Sequence, residues 1–338
     1  MQLVHNGAYA DMSKARMAIC EGFSLSCRRL REVELRMACL WSDIDNDMPP
    51  ERIAIQLERS RGAPSTFYID YRSYGLARAI HCKCASFKCI MGNGARMSGG
   101  TILLGRTPNR RVNVAHDCLV EAQKERSSFP SLKALYVSDM GFSRSVSESL
   151  KHWSLPHLED LLCSTSVLPY LPLTKPLSTL KVVSNYNRGY FSSVQGFLES
   201  PIVFELRILG IWLTLLHTPT SLAPPQEISL PTVKDLSLCI MATEEALTGV
   251  MPLFECLKVA NVETVTLNLV YPVLQHGTFL SWWKELVRAK SLRKVSVRCR
   301  TDARFNVPPV NVQRSIISQL LAARDGTSDD GKPEIEIV

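Results

Sequence analysis

One short apolar pattern returns along this chain, and its recurrence limits the fold more than any other feature. "SLKALYV" (131–137) comes back as "HLEDLLC" (157–163), "TLKVVSN" (179–185) and "IVFELRI" (202–208), then as "TVKDLSL" (232–238), "VETVTL" (262–267) and "SLRKVSV" (291–297). Each copy has Leu or Val, two variable residues, Leu or Val again, one variable residue, and a usually apolar one. The first positions are Leu132, Leu158, Leu180, Val203, Val233, Val262 and Leu292, at spacings of 26, 22, 23, 30, 29 and 30 residues. A strand whose inward side chains alternate with period 2 explains the end of each copy. In the first, Leu135 and Val137 point inward, while Ala134, Tyr136 and Ser138 point out. Pro130, Pro156, Pro176, Pro201 and Pro231 lead into copies, where a missing N–H costs no ladder bond. A single copy arises by chance in any apolar sequence; seven in order favour a repeat, with an ordinary α/β domain as the alternative.

The segments between copies read as helices. "TEEALTGVMPLFECL" (243–257) opens on a Thr and two acids, although Gly249 and Pro252 interrupt it. "TFLSWWKELVRAK" (278–290) aligns Leu280, Trp283, Leu286 and Val287 on one stripe. "NVQRSIISQLLAARDG" (311–326) reads as a closing helix with Gly326 past its end, and "PEIEIV" (333–338) as a last strand. Strands alternating with helices over short links imply parallel pairing through crossover connections. The spacing predicts an α/β fold, a leucine-rich-repeat-like solenoid with parallel strands on its concave face and helices on its convex face. Residues 65–338 form this irregular solenoid, and residues 1–64 a small helical N-terminal region.

Nearly half of the 338 residues are apolar (46%), enough for a substantial core. The formal charge of +7 is mild for this length and does not call for nucleic acid. Eleven irregularly spaced cysteines, with no apolar leader before them, predict reduced thiols in a cytoplasmic or nuclear protein. The most apolar run, "LRILGIWLTLL" (206–216), contains an Arg and falls short of the ~20 residues that span a bilayer. No membrane partner is expected.

Motifs that would carry chemistry fail on inspection. "GARMSGGT" (94–101) matches a phosphate-binding loop except that Gly100 stands where the Lys belongs, which removes the charge on the phosphates. We read it as a flexible loop. "HCKCASFKC" offers His81, Cys82, Cys84 and Cys89, but lacks a C-x-x-C pair, so these read as small buried or half-buried helical residues. There is no G-x-S-x-G elbow and no H-E-x-x-H, and His152 and His157 sit beside solvated acids at the lead-in of a repeat. The expectation is no catalytic residue, no metal and no cofactor: not an enzyme. The basic tract Arg288, Lys290, Arg293, Lys294, Arg298, Arg300 and Arg304 contains no aromatic stacking partner and reads as a solvated edge or a rim for an acidic ligand.

The N-terminal third reads differently. "SCRRLREVELRMACLW" is helical to about Met37, and "MPPERIAIQLERSRGAP" forms a short helix with Pro50 in its first turn, Ile53 and Leu57 on one face, and Gly62 past its end. "STFYIDYR" (65–72) alternates as a strand. Cys27 to Val33, Leu40-Trp41-Ser42-Asp43-Ile44, Pro50 to Ile53 and Leu57 to Pro64 resemble the F-box/leucine-rich-repeat proteins of mushroom-forming fungi. In that family a Cys-Arg-x-Trp-Arg-x-Val helix closes the F-box; a Leu-Trp pair and a helix ending in Arg-Ser-x-Gly-Ala-Pro follow. The resemblance begins near residue 26. Residues 1–25 hold no Leu-Pro segment, and Leu30 stands where the family has Trp, so the F-box is incomplete.

The resemblance implies a substrate adaptor of a Skp–Cullin–F-box ubiquitin ligase, with Cys27, Leu30, Val33, Leu40 and Trp41 docking the Skp adaptor. A protein substrate would lie on the concave face, for which strand alternation nominates Tyr136, Leu162, Tyr186, Arg207, Thr266 and Arg298. The alternative is a structural or regulatory protein-binding repeat protein that no longer engages the ligase.

Overall fold

A computed structural model describes residues 27–70, 77–104, 127–139, 150–185, 200–215, 227–243, 251–258, 260–300 and 333–337, with a few isolated positions between them. Two compact units result, Met1–Leu158 with Tyr170–Thr174, and Glu159–Pro169 with Lys175–Val338.

In the first unit, α1 (Arg28–Arg36) carries an Arg28–Glu32 pair at 3.2 Å one helical turn apart. A 3₁₀ turn, Ala38–Trp41, leads into a strand that the sequence reading missed, β1 (Asp43–Asp45). Helix α2 (Pro50–Arg59) starts on Pro50, whose fixed φ suits a first helical position, and has Glu51 and Arg59 at the ends its dipole favours. It stops where Arg61 and Gly62 take φ of 49° and 81°. Its buried face is Ile53, Gln56 and Leu57. Strand β2 (Ser65–Asp70) follows, then α3 (Ala77–Gly92), β3 (Met97–Leu104) and β4 (Ala134–Asp139).

Strands β1 to β4 pair in chain order, all parallel. One inner rung is Ile44, Phe67, Gly100 and Leu135; the next is Ile69, Ile102 and Val137. Gly100 is glycine because a Cβ there would collide with the Phe67 ring. That ring leans on Phe129 (centroids 5.8 Å apart), which leans on Trp153 (4.9 Å). A Cβ on Gly94 would likewise strike the Ser128 carbonyl. The phosphate-loop lookalike is therefore a 3₁₀ turn and strand β3, with glycines that admit neighbouring atoms, and not the flexible loop expected.

The second unit contains β5 (Asp160–Ser164), β6 (Thr179–Asn185), β7 (Ile208–Leu215), β8 (Ile228–Ser229), β9 (Asp235–Ala242), β10 (Leu257–Lys258), β11 (Thr264–Val270), β12 (Lys294–Arg300) and β13 (Glu334–Ile337). Strands β5, β6, β7, β9, β11, β12 and β13 lie side by side in that order, all parallel; β8 and β10 make a separate parallel pair. The register aligns Leu161, Leu180, Leu209, Leu236, Val265, Val295 and Ile335 on one rung. Cys163, Val182, Ile211, Leu238, Leu267, Val297 and Ile337 form the next. From Leu161 to Val295 and from Cys163 to Val297 these side chains are all buried. Burial also pushes the Cys163 thiol far above its ordinary pKa.

This register corrects the repeat frame at two copies. Leu180 and Leu209 occupy the second apolar position, so the first positions there are Leu177 and Leu206, not Leu180 and Val203. Apolar residues recur every third position through Leu177, Leu180 and Val183, and again through Val203, Leu206 and Leu209, so the pattern matches itself after a shift of three. The frames of β4, β5, β9, β11 and β12 are as read. The expected last strand is β13.

Between strands lie α4 (Met251–Cys256), α5 (Tyr271–Gln275) and α6 (Gly277–Val287). The helical reading of 243–257 holds for α4 alone; most of 244–250 lies outside the described residues. Helix α6 buries Phe279, Trp282, Trp283, Leu286 and Val287, whereas Leu280, expected on the stripe, is half-buried. Phe254, Phe279, Trp282 and Trp283 cluster, and the indole N–H groups of Trp282 and Trp283 donate to the carbonyls of Leu257 (3.2 Å) and Leu320 (3.0 Å). Of the closing helix, only a few positions around Leu320 are described.

Candidate functional site

Alternation leaves the second sheet run two unlike faces. Behind are the buried aliphatic rungs; in front, three rows cross the strands, half-buried or exposed except at Ser164, Val183 and Gly210. The row nearest the strand starts is Asp160, Thr179, Ile208, Asp235, Thr264, Lys294 and Glu334. Next come Leu162, Lys181, Gly210, Ser237, Thr266, Ser296 and Glu336. The third is Ser164, Val183, Trp212, Cys239, Asn268 and Arg298.

Acids on this face have partners. The Ser178 hydroxyl donates to Asp160 (3.3 Å) and the Thr264 hydroxyl to Asp235. Lys294 lies 3.8 Å from Glu334 and 3.9 Å from Glu336. Just before the strands, Glu263 sits between Lys234 (3.0 Å) and Arg293 (3.9 Å). The Lys234 ammonium, through its hydrogen bond and charge, holds the Glu263 carboxyl below the ordinary range. Two members of the basic tract, Arg293 and Lys294, are thus paired with acids of the same face or its edge. Arg298 is exposed, and no ion pair engages it among the described residues.

Five tryptophans occur, and four are buried: Trp41, Trp153, Trp282 and Trp283. Trp212 alone is half-exposed, in the third row, and pattern reading missed it because the slipped frame turned it inward.

The expected contact residues fare unequally. Thr266 and Leu162 stand half-buried in the middle row, Arg298 is exposed in the third, and Tyr136 is half-buried on the corresponding face of the first unit. Arg207 is exposed but lies outside the three rows. It precedes β7, where its N–H donates to Ser178 and its carbonyl accepts from Lys234 and Asp235. Tyr186 lies outside the described residues.

Of the docking candidates, Cys27 and Val33 are exposed and Leu40 is half-buried. Leu30 lies on α1, but its side chain is outside what is described. Trp41 is a core residue under the Arg59 guanidinium, 4.5 Å from the ring centroid, and not a surface contact. Val33 and Met37 leave large apolar side chains in solvent, as does Ile55 on α2.

Cys89, on α3, has its thiol pKa raised by burial and by Glu51; the side chains of His81, Cys82 and Cys84 are outside what is described. Among the described residues, no group of three His, Cys, Asp or Glu is placed to hold a metal ion, and no helix is long and apolar enough to cross a membrane. No family model matches this chain, and no curated protein matches it.

Proposed function

We propose that this chain is a non-enzymatic protein-recognition module, a leucine-rich-repeat-like solenoid whose open sheet face receives a protein partner. The observation that supports this is the two-faced sheet run. Buried aliphatic rungs carry a front of mixed side chains, most of them half-buried or exposed, a surface suited to an extended partner. On this reading the region around α1 joins the module to a Skp adaptor of a Cullin–RING ligase, and the exposed Val33 is its contact. A second reading, a repeat protein without a ligase link, draws support from Trp41, which is spent on the core.

Co-expression with a Skp adaptor and affinity capture separates the two. Retention by the full chain, lost in Val33→Glu while the thermal melt stays unchanged, supports the ligase link. No retention by the unaltered chain leaves the recognition module without it.

A further inference from the structure

The third row is open only along part of its length. Ser164 and Val183 are closed over, at 4% and 6% exposure, whereas Trp212, Cys239 and Asn268 are half-buried and Arg298 is exposed. These four stand on β7, β9, β11 and β12, in mutual register. Neighbouring strands lie about 4.8 Å apart, so Trp212 and Arg298 are separated by roughly 14 Å across the strands.

The charge along this stretch is one-sided. Every acid placed on the front of the seven-strand run lies in the other two rows, and each already has a hydroxyl or Lys294 as partner. None stands in the third row. A ligand crossing there meets an indole that buries apolar area, an Asn268 amide able to donate and accept, and a guanidinium that no acid pairs among the described residues.

We propose that the stretch from Trp212 to Arg298 binds an extended acidic segment of a partner protein. An apolar side chain of that segment covers Trp212, and a carboxylate pairs with Arg298. An extended chain rises about 3.3 Å per residue, so the anchor and the acid stand about four residues apart. Asn268 faces the backbone between them. This rests on the reading of the sheet face as a protein-recognition surface and adds the chemical class of the partner.

The test uses the full chain and three synthetic peptide pools, randomised except for a fixed Leu and, four positions on, Glu, Gln or Lys. Acrylamide quenching of tryptophan fluorescence reports Trp212, the one indole not buried, and the Trp212→Phe chain provides the background. The Glu pool is expected to shield Trp212 at concentrations about tenfold lower than the Lys pool, a preference that Arg298→Glu reverses. A merely structural Arg298 would not reverse it. Equal shielding by all three pools, or preference for Lys, overturns the acidic class while leaving a recognition face. Shielding by none overturns both this proposal and the reading beneath it.

Discussion

The two strand runs solve the same packing problem with different side chains. In β5 to β13 the inner rungs are Leu, Val, Ile and one Cys, so each strand offers its neighbour nearly the same volume. In β1 to β4 one rung mixes Ile44, Phe67, Gly100 and Leu135, and the Phe67 ring fills the space that Gly100 leaves empty. Uniform rungs need only a period. The mixed rung needs particular partners, from Phe67 through Phe129 to Trp153, so a change at one position is felt at another.

The largest expected effect probes the uniform run. Leu238→Ala removes a fully buried rung member and should cost about 2–5 kcal/mol in urea unfolding. A cost below about 0.5 kcal/mol would place Leu238 on the surface and break the comparison. Next come two glycines. Gly100→Ala should cost about 1–3 kcal/mol by overpacking, with the loss reduced in a Phe67→Leu background. Gly210→Ala, in the other run, meets Lys181 at Cγ (3.0 Å), with its Cβ and Cα at 3.5 and 3.7 Å, a milder approach than the Phe67 ring makes at Gly100, and should cost less, about 1 kcal/mol or below. Equal costs at the two glycines would erase the distinction.

The smallest effect concerns Glu263. Its carboxyl is held below the ordinary range in the folded chain, so ionisation favours folding. That contribution is fully present above the ordinary glutamate range and is lost as pH falls through the lowered folded value. Glu263→Gln should therefore flatten the acid limb of a stability–pH profile slightly, and added salt should shrink the difference between the two chains. A difference that instead grew with pH above neutrality would contradict the Lys234 pairing.

The same contrast shows how much could be read in advance. The second run's strands were legible because their apolar residues recur at near-even intervals, and the outward placement of Thr266 and Arg298 came with them. The frame at β6 and β7 was not legible, since residues such as Val203, Leu206 and Leu209 satisfy the pattern in either of two positions. That slip hid Trp212 and placed Arg207 in a row of strand residues, whereas it stands one residue ahead of β7. Strand β1 was missed because Asp43–Asp45 has one apolar residue in three, and its pairing with β2 supplies what periodicity cannot. Gly94 and Gly100 looked like loop formers because groups distant in sequence, the Ser128 carbonyl and the Phe67 ring, explain them.

Thiol alkylation of the folded protein, read site by site by mass spectrometry, addresses the alternation on which both the packing and the partner face depend. Cys163 sits on an inner rung and Cys239 in the outer row. Comparing Ile211→Cys with Trp212→Cys extends the test to β7, where the two frames disagree. The expected result is modification at 239 and 212 in the native state, and at 163 and 211 only after unfolding. Native-state labelling at 211 with protection at 212 would turn β7 over and contradict the account.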